Sequence, residues 1–284
     1  MNLDAVMAYE FPPVEHTYTE KDTMLYGLGL SLGRDPQDPE QLKFVYEKGL
    51  QALPSMCNVL AHPGFWLREP RLAIDWVRAL HGEQRFVVHK PLPPRATVIG
   101  EVRVIGVEDK GPNKGALLFY EKVISAKSTG ERLCTVQTTG FLRGDGGCGN
   151  AGVTLPGLEA TPQAQPEATL DLPTGRQSAL IYRLSGDLNP LHVEPSVAAQ
   201  AGFQGPILQG LCTMGVACFG LIKLFCRGEP HRLRGMGVRF RDAIYPGETI
   251  RLECWRTDRT IWFRARVAER DSVVLDHGVA EMSC

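Results

Sequence analysis

The sequence predicts an α+β protein in which helical segments and a meander of antiparallel strands occur twice. Segments that alternate β-branched or aromatic residues with polar ones are typical of strands with one face in water. One stretch of the second half is apolar on nearly every helical face, so a layer of strands must wrap around it. The pattern alone therefore predicts a curved antiparallel sheet around a buried helix.

A composition shift between residues 144 and 177 divides the chain. The segment begins Gly-Asp-Gly-Gly and continues through a run rich in proline, alanine, glutamine and glutamate. Such a composition is typical of a linker. We expect an N-terminal domain at residues 1–150 and a C-terminal domain at residues 165–284. The two agree in pattern rather than in identity, which indicates an internal duplication.

Strand-like alternation is clear in five segments. Two follow the Pro91-Leu-Pro-Pro94 segment in the first domain, and three follow Tyr245-Pro-Gly247 in the second. The predicted strands are Thr97–Ile105, Ala116–Ile124, Thr249–Trp255, Ile261–Val267 and Ser272–Ala280.

Three helices are predicted in the second domain. Thr174 is a suitable N-cap for a helix at residues 176–185, which Gly186 would end in a left-handed conformation. Pro195 then opens a short helix at residues 196–201, closed by Gly202. The buried helix is expected at residues 208–225.

Composition excludes several classes of protein. The chain has 284 residues, of which 43% are hydrophobic and 22% charged, and this is globular rather than disordered. A net charge of −1 offers no basic field, so we expect no nucleic-acid partner. None of the eight cysteines forms a Cys-x-x-Cys pair and the histidines are scattered, so we expect no metal. Unpaired cysteines favour a reduced, cytoplasmic compartment.

The sequence is also not expected to carry a targeting signal or a membrane-spanning helix. Residues 1–5 lack the charged and apolar regions of a signal peptide, and Met282-Ser283-Cys284 is unlike a peroxisomal Ser-Lys-Leu signal. The 20 residues from Ile207 to Cys226 could just span a bilayer. Gln209 and Lys223 interrupt them, and a buried core helix explains them better, so we expect no membrane partner.

The stretch Tyr182-Arg-Leu-Ser-Gly-Asp-Leu-Asn-Pro-Leu-His192 carries the strongest chemical signal. It places a carboxylate and an imidazole five residues apart, which does not suit one face of a helix. Pro190 fixes its own φ and pushes Asn189 out of the helical region, so a tight loop is expected. Such a loop can bring Asp187 and His192 to one water as a general acid/base pair. The alternative is an ordinary turn, because Asp-x-Asn is also a common turn composition.

The stretch from Tyr182 to His192, together with the segment Gly210-Leu-Cys-Thr213, resembles the MaoC-like, type-2 (R)-specific enoyl-CoA hydratases. Ala201-Gly-Phe203 and Pro206-Ile-Leu208 strengthen the resemblance. Motifs of the first half resemble the N-terminal half of the members with a double hotdog fold: His81-Gly-Glu-Gln84, Lys90-Pro-Leu-Pro93, Asp109-Lys-Gly111 and Gly144-Asp-Gly-Gly-Cys-Gly149. The resemblance covers most of the chain. It implies two fused hotdog domains, each a curved antiparallel sheet around a central helix, with one active site per chain.

The resemblance also implies an activity and its residues. The activity is reversible hydration of trans-2-enoyl-CoA to (3R)-3-hydroxyacyl-CoA without a cofactor, in a chain that pairs into a homodimer. The implied catalytic residues are Asp187, His192, Asn189 and Gly210, with Gly210 at the start of the buried helix, where free N–H groups suit an enolate oxygen. The implied substrate-binding residues are His81, Gly82, Lys110, Leu188, Pro190, Leu191 and Phe240. The first half has no Asp-x-Asn-Pro-x-His, so it is expected to shape the acyl and CoA pocket.

One departure and three rivals qualify this interpretation. The family usually has histidine where this chain has Gln209, which puts a substrate contact or the pH profile in doubt. A hotdog thioesterase would be expected to carry a carboxylate on or near the central helix, and residues 207–226 contain none. A Cys/His hydrolase built on Cys212 or Cys218 lacks a visible activator. A non-catalytic acyl-CoA-binding protein would not need both Asp187 and His192.

Overall fold

A computed structural model describes residues 1–283 of the chain. Within these residues eleven strands form one continuous antiparallel sheet. The N-terminal half contributes β1 (Val14–Tyr18), β2 (Ala79–Val88), β3 (Ala96–Asp109), β4 (Ala116–Ala126), β5 (Arg132–Leu142) and the short β6 (Ala151–Gly152). The C-terminal half contributes β7 (Ala168–Pro173), β8 (Leu233–Phe240), β9 (Thr249–Thr257), β10 (Thr260–Val267) and β11 (Ser272–Met282).

The two halves arrange their strands in the same order. The sheet runs β1-β3-β4-β5-β2-β8-β11-β10-β9-β7, and β6 pairs with β3 at the side. Read outward from the β2–β8 junction, each half therefore places its second, fifth, fourth, third and first long strand in turn. The duplication indicated by the sequence pattern is confirmed at the level of topology.

A partly buried ion pair reinforces the junction between the halves. Glu83 of β2 lies opposite Arg239 of β8. The guanidinium of Arg239 donates from Nε and Nη2 to Oε1 of Glu83 at 2.9 and 2.7 Å. Arg85 donates to the other carboxylate oxygen at 2.7 Å. Such bidentate contacts fix geometry as well as charge, so they hold β2 and β8 in register.

The five predicted strands are confirmed as β3, β4, β9, β10 and β11, most of them extended by one to four residues at either end. Strands β1, β2, β5, β6, β7 and β8 were not predicted. Strand β7 lies inside the segment expected to be linker, so that part of the prediction is wrong. Strand β8 carries Gly235 and Gly237, and glycine lowers strand propensity when packing does not override it.

Six α-helices complete the described residues: α1 (Leu3–Met7), α2 (Glu20–Gly29), α3 (Pro39–Leu42), α4 (Ser178–Tyr182), α5 (Pro195–Gln200) and α6 (Gly210–Phe225). The buried helix is α6, and it begins two residues later than predicted because Gln209 has an extended backbone, with ψ at 137°. The prediction of Thr174 as an N-cap is wrong. Its hydroxyl donates to Glu248 O at 2.7 Å, and α4 begins at Ser178.

Helix α6 forms the centre of the core. Every residue from Cys212 to Ile222 is buried. A Cβ added at Gly215 would lie 2.6 Å from Leu30 Cδ2, and one at Gly220 would lie 2.7 Å from Leu172 Cδ1. These glycines let other elements approach the helix closely. In residues 1–283 no helix is both long and apolar enough to cross a membrane.

The N-terminal half has a much shorter counterpart of α6. In the described part of that half, the segment Pro54–Asn58 forms a fully buried 3-10 turn that contacts α6, β2 and β5. The central helix expected in each half is therefore complete only in the second. The turn delivers Asn58 to the underside of the site described next.

Candidate active site

Two consecutive side-chain turns shape the loop between α4 and α5. A 3-10 turn ends at Gly186, whose φ of 119° is the left-handed conformation predicted for it. Asp187 Oδ1 then accepts from Asn189 N–H at 3.3 Å, and Asn189 Oδ1 accepts from Leu191 N–H at 3.1 Å. Pro190 opens a second 3-10 turn that ends at His192. The loop is as tight as the sequence predicts because the short polar side chains satisfy its own backbone.

This loop brings the predicted pair together. His192 Nε2 lies 3.8 Å from Asp187 Oδ2. The imidazole is buried, whereas the carboxylate side chain is 34% exposed. A separation of 3.8 Å is longer than a direct hydrogen bond and is short enough for one water to contact both atoms.

The tautomer of His192 follows from its other nitrogen. Nδ1 lies 2.8 Å from the carbonyl oxygen of Ile207. A carbonyl only accepts, so Nδ1 carries the proton and Nε2 of the neutral ring holds a lone pair directed toward Asp187. Ile207 lies three residues before the first residue of α6, so the same hydrogen bond ties the catalytic loop to the start of that helix.

The start of α6 opens to solvent, although the helix is buried from Cys212 to Ile222. Gly210 is exposed, and within residues 1–283 the N–H groups of Gly210 and Leu211 have no hydrogen-bond acceptor. A Cβ at Gly210 would lie 3.1 Å from Phe240 Cε1. The first turn of α6 thus presents free donors and the positive end of a helix dipole beside an aromatic ring.

His81 extends the site onto β2. Its ring packs edge to face against Phe240, with centroids 4.7 Å apart. His81 Nε2 lies 2.8 Å from Gln84 Oε1, which also accepts from Thr138 Oγ1 at 2.8 Å. The Gln84 amide donates to Asn58 Oδ1 at 2.9 Å. Because Gln84 Oε1 can only accept, His81 presents an N–H at Nε2 and is held by a buried polar chain.

A third histidine lies within electrostatic range of Asp187 and was missed from the sequence. His62 reaches solvent, and its Nδ1 accepts from Gly64 N–H at 3.1 Å. Partial desolvation by the surrounding protein lowers the pKa of His62, while the nearby Asp187 carboxylate acts in the opposite direction. Desolvation also lowers the pKa of His81, and Asp187 again opposes the shift. Asp187 is therefore near enough to His62 and His81 for its charge to oppose both shifts. The His-Pro-Gly sequence around His62 is the only local signal of a fixed turn.

The remaining predicted substrate residues lie at different distances from the pair. Leu188 is 62% exposed and stands with Pro190 and Leu191 on the rim of the loop. Gly82 lies at an irregularity of β2 between His81 and Glu83. Lys110 forms an ion pair with Glu108 in the turn that joins β3 to β4, and β3 is three strands from β2. The turn that carries Lys110 lies at the same end of the sheet as the start of β2, because Ala116 pairs with Leu142 and Leu142 pairs with Ala79.

Gln209, the departure from the family pattern, points away from the cleft. It is fully buried, and its amide donates to Ala179 O of α4 at 3.1 Å. Its Oε1 has no partner in the described residues. Gln209 therefore fastens α4 to the start of α6.

The cysteines do not form a nucleophilic site. In the described chain seven cysteines are unpaired, and six of these are buried. Burial raises the pKa of the Cys212 thiol, and it raises that of Cys218 to about 12. Thiols protonated in this way are poor nucleophiles, which counts against a Cys/His hydrolase.

Comparisons with known proteins match both halves of the chain. Residues 16–144 match a model described as MFE-2 hydratase 2 N-terminal domain, and residues 158–277 match one described as MaoC like domain. The peroxisomal enoyl-CoA hydratase 2 of Arabidopsis thaliana is 37% identical over 96% of this chain and 93% of its own. The 3-hydroxyacyl-thioester dehydratase Y of Mycobacterium tuberculosis is 36% identical over 95% and 94%.

Solved structures agree with these sequence matches. The crystal structure of a MaoC-like dehydratase from Phytophthora capsici superposes with a TM-score of 0.87 at 32% identity, covering 100% of this chain and 99% of that one. A Mycobacterium tuberculosis protein described as having a double hotdog fold superposes with a TM-score of 0.55 at 14% identity, covering 96% of each. The second likeness bears on the fold alone.

Proposed function

Because the chain belongs to the family of MaoC-like enoyl-CoA hydratases, with which it shares sequence over nearly its whole length, we infer that it is an (R)-specific enoyl-CoA hydratase. It has the double hotdog fold of that family. The reaction is the reversible addition of water to a trans-2-enoyl-CoA, giving the (3R)-3-hydroxyacyl-CoA. The substrate partner is an acyl-CoA.

The proposed chemistry starts at the Asp187/His192 pair. One water contacts His192 Nε2 and Asp187 Oδ2, which are 3.8 Å apart. The lone pair on Nε2 takes a proton as the water oxygen bonds to C3 of the enoyl group, and the adjacent carboxylate stabilises the imidazolium. The pair then returns one proton to C2. The addition places OH on C3 and H on C2 with no net oxidation or reduction, so it needs no redox cofactor.

Charge develops on the thioester oxygen during the addition. The proposed oxyanion site is the first turn of α6, where the N–H groups of Gly210 and Leu211 point out of the helix without an acceptor in the described chain. Preorganised backbone donors of this kind are worth two to three orders of magnitude in rate, about 2.7–4 kcal/mol per donor. Phe240 and His81 form the wall beside that oxygen.

Asn189 has a proposed positioning role. Its Oδ1 is used by the turn, which leaves the Nδ2 donors for the water or substrate. We place the acyl and CoA pocket in the N-terminal domain of residues 1–150 and the chemistry in residues 165–284. Gly82, Lys110, Leu188, Pro190 and Leu191 remain predicted substrate contacts.

The observation that carries the proposal is the approach of the carboxylate and imidazole beside the open start of α6. A thioesterase would place a carboxylate on or near the central helix, and α6 has none. The test mixes the protein with crotonyl-CoA and follows enoyl absorbance, free CoA and the chirality of the product. Loss of absorbance that yields the (3R) alcohol is expected. Release of free CoA without hydration would move the assignment to a thioesterase.

Two finer points extend the proposal. We propose a homodimer, on the analogy of fused hotdog chains, and sedimentation at micromolar concentration tests it. We also propose a cytoplasmic location, supported by seven unpaired cysteines in residues 1–283. Several relatives are named as peroxisomal, so fractionation of the source cells decides between the two compartments.

A further inference from the structure

An exposed arginine is held between two exposed aromatic rings in the N-terminal half. Phe65, Arg68 and Trp76 make up this feature, which we call the aromatic–arginine platform. The Arg68 guanidinium carbon lies 4.9 Å from the centroid of Phe65 and 4.4 Å from that of Trp76. The rings meet edge to face at 5.9 Å. Phe65 is 53% exposed and Trp76 is 37% exposed, so two large rings stay in water where burial would be favourable.

Arg68 has its charge available for a ligand. Its neighbour Arg78 is paired with Asp75 at 2.6 Å, whereas in residues 1–283 no carboxylate lies within ion-pair distance of Arg68. The Arg68 side chain is exposed, so its N–H groups are accessible to a ligand. They suit a phosphate, which a guanidinium can bind through two parallel hydrogen bonds.

The platform lies within chain reach of the catalytic cleft. Phe65 is three residues from His62, and Trp76 is five residues from His81. His81 packs against Phe240, and that ring lies beside Gly210 at the open start of α6. Chain reach limits these spans to about 11 Å and about 18 Å. Two separate segments thus run from these histidines to the same exposed platform.

We propose that the aromatic–arginine platform binds the adenosine 3′-phosphate 5′-diphosphate end of CoA. The adenine stacks on Trp76 or Phe65, and Arg68 binds a phosphate. Aromatic rings hold bases by stacking, and an arginine among them adds charge recognition. The flexible pantetheine arm crosses the interval between the platform and the thioester in the cleft. The identity of the ligand rests on the proposed hydratase function.

The test compares two substrates that differ only in the nucleotide. Arg68→Gln is expected to raise KM for crotonyl-CoA by about tenfold or more, the scale of one charge-assisted contact, with little change in kcat. KM for crotonyl-pantetheine should stay within about twofold of wild type. Arg71→Gln is the matched control, because Arg71 stacks on Tyr9 at 4.8 Å in the same region without joining the platform. An equal rise with both substrates, or no rise with crotonyl-CoA, would overturn the proposal.

A binding measurement separates this proposal from the hydratase assignment. Calorimetric titration with adenosine 3′,5′-bisphosphate should detect binding to wild type and a loss of about tenfold or more in Arg68→Gln and Trp76→Ala. If the protein hydrates neither substrate yet binds the nucleotide in this way, the hydratase function fails and the platform stands. If the variants instead dissociate a dimer and bind the nucleotide like wild type, a second copy of the chain covers the platform and the proposal is wrong.

Discussion

Substitution of Gly210 by alanine should separate catalysis from stability. The new methyl would lie 3.1 Å from Phe240 Cε1 and 3.2 Å from Cδ1, closer than the ordinary contact range that starts at 3.4 Å. The Phe240 ring must yield by a few tenths of an ångström, and it packs against His81 at 4.7 Å. The same methyl occupies space through which a thioester oxygen would approach the first N–H groups of α6.

The two consequences differ in size. Loss of one oxyanion donor corresponds to about a hundredfold to a thousandfold in kcat. Alanine is a better helix former than glycine by up to about 1 kcal/mol, which offsets the crowding of Phe240. We therefore expect kcat for crotonyl-CoA to fall by about a hundredfold or more, with the free energy of unfolding within about 1 kcal/mol of wild type.

Initial rates and urea unfolding on the same preparation measure both quantities. Gly157→Ala is the matched control, since a Cβ there meets nothing within 4 Å. It should change neither rate nor stability. Near-wild-type turnover of Gly210→Ala would refute the oxyanion role, and a collapse of stability in that variant would refute the packing estimate.

Two further substitutions test the buried polar groups. Burial lowers the pKa of Lys122 from 10.5 to about 8, so the unfolded chain binds the extra proton between those values and stability should rise with pH there, by about 3 kcal/mol for this group. Lys122→Met should lack this rise. Urea unfolding of both proteins at pH 7.5, 9 and 10.5 measures it. If the difference in free energy of unfolding between wild type and variant stays constant with pH, the lowered pKa of Lys122 is contradicted. The Tyr182 hydroxyl is buried with no partner in the described residues, so Tyr182→Phe should raise the free energy of unfolding by about 1 kcal/mol. A loss of stability in that variant would mean that the hydroxyl has a bound partner.

The parts of the fold with local signals could be predicted from sequence. Alternation identified β3, β4, β9, β10 and β11, and the all-apolar stretch identified α6. Strand β8 could not be predicted because its identity depends on pairing with β2, which lies far away in sequence. Lys122 shows the same limit. Alternation rules would turn its charge to water, yet its ammonium is buried and donates to the carbonyls of Asn58 and Leu60.

The site divides in the same way. The Asp187/His192 loop could be predicted because the turn chemistry that shapes it lies within six residues. His62 could not, since it comes near Asp187 only through tertiary structure. In the sequence, Gln209 put a substrate contact or the pH profile in doubt. In the structure its side chain fastens α4 through Ala179 and does not face the cleft. Local chemistry is legible in the sequence, whereas convergence of distant segments is not.

The most direct test of the central claim is the rate of crotonyl-CoA hydration by Asp187→Asn and His192→Ala beside wild type. Each should lose about a hundredfold or more in kcat, the scale of acid/base catalysis by a positioned group. Circular dichroism and urea unfolding should show a folded protein. Asp187 is part of a surface loop, and the hydrogen bond of His192 to the Ile207 carbonyl fastens only that loop to the start of α6. Wild-type turnover to the (3R) alcohol by either folded variant would contradict the account.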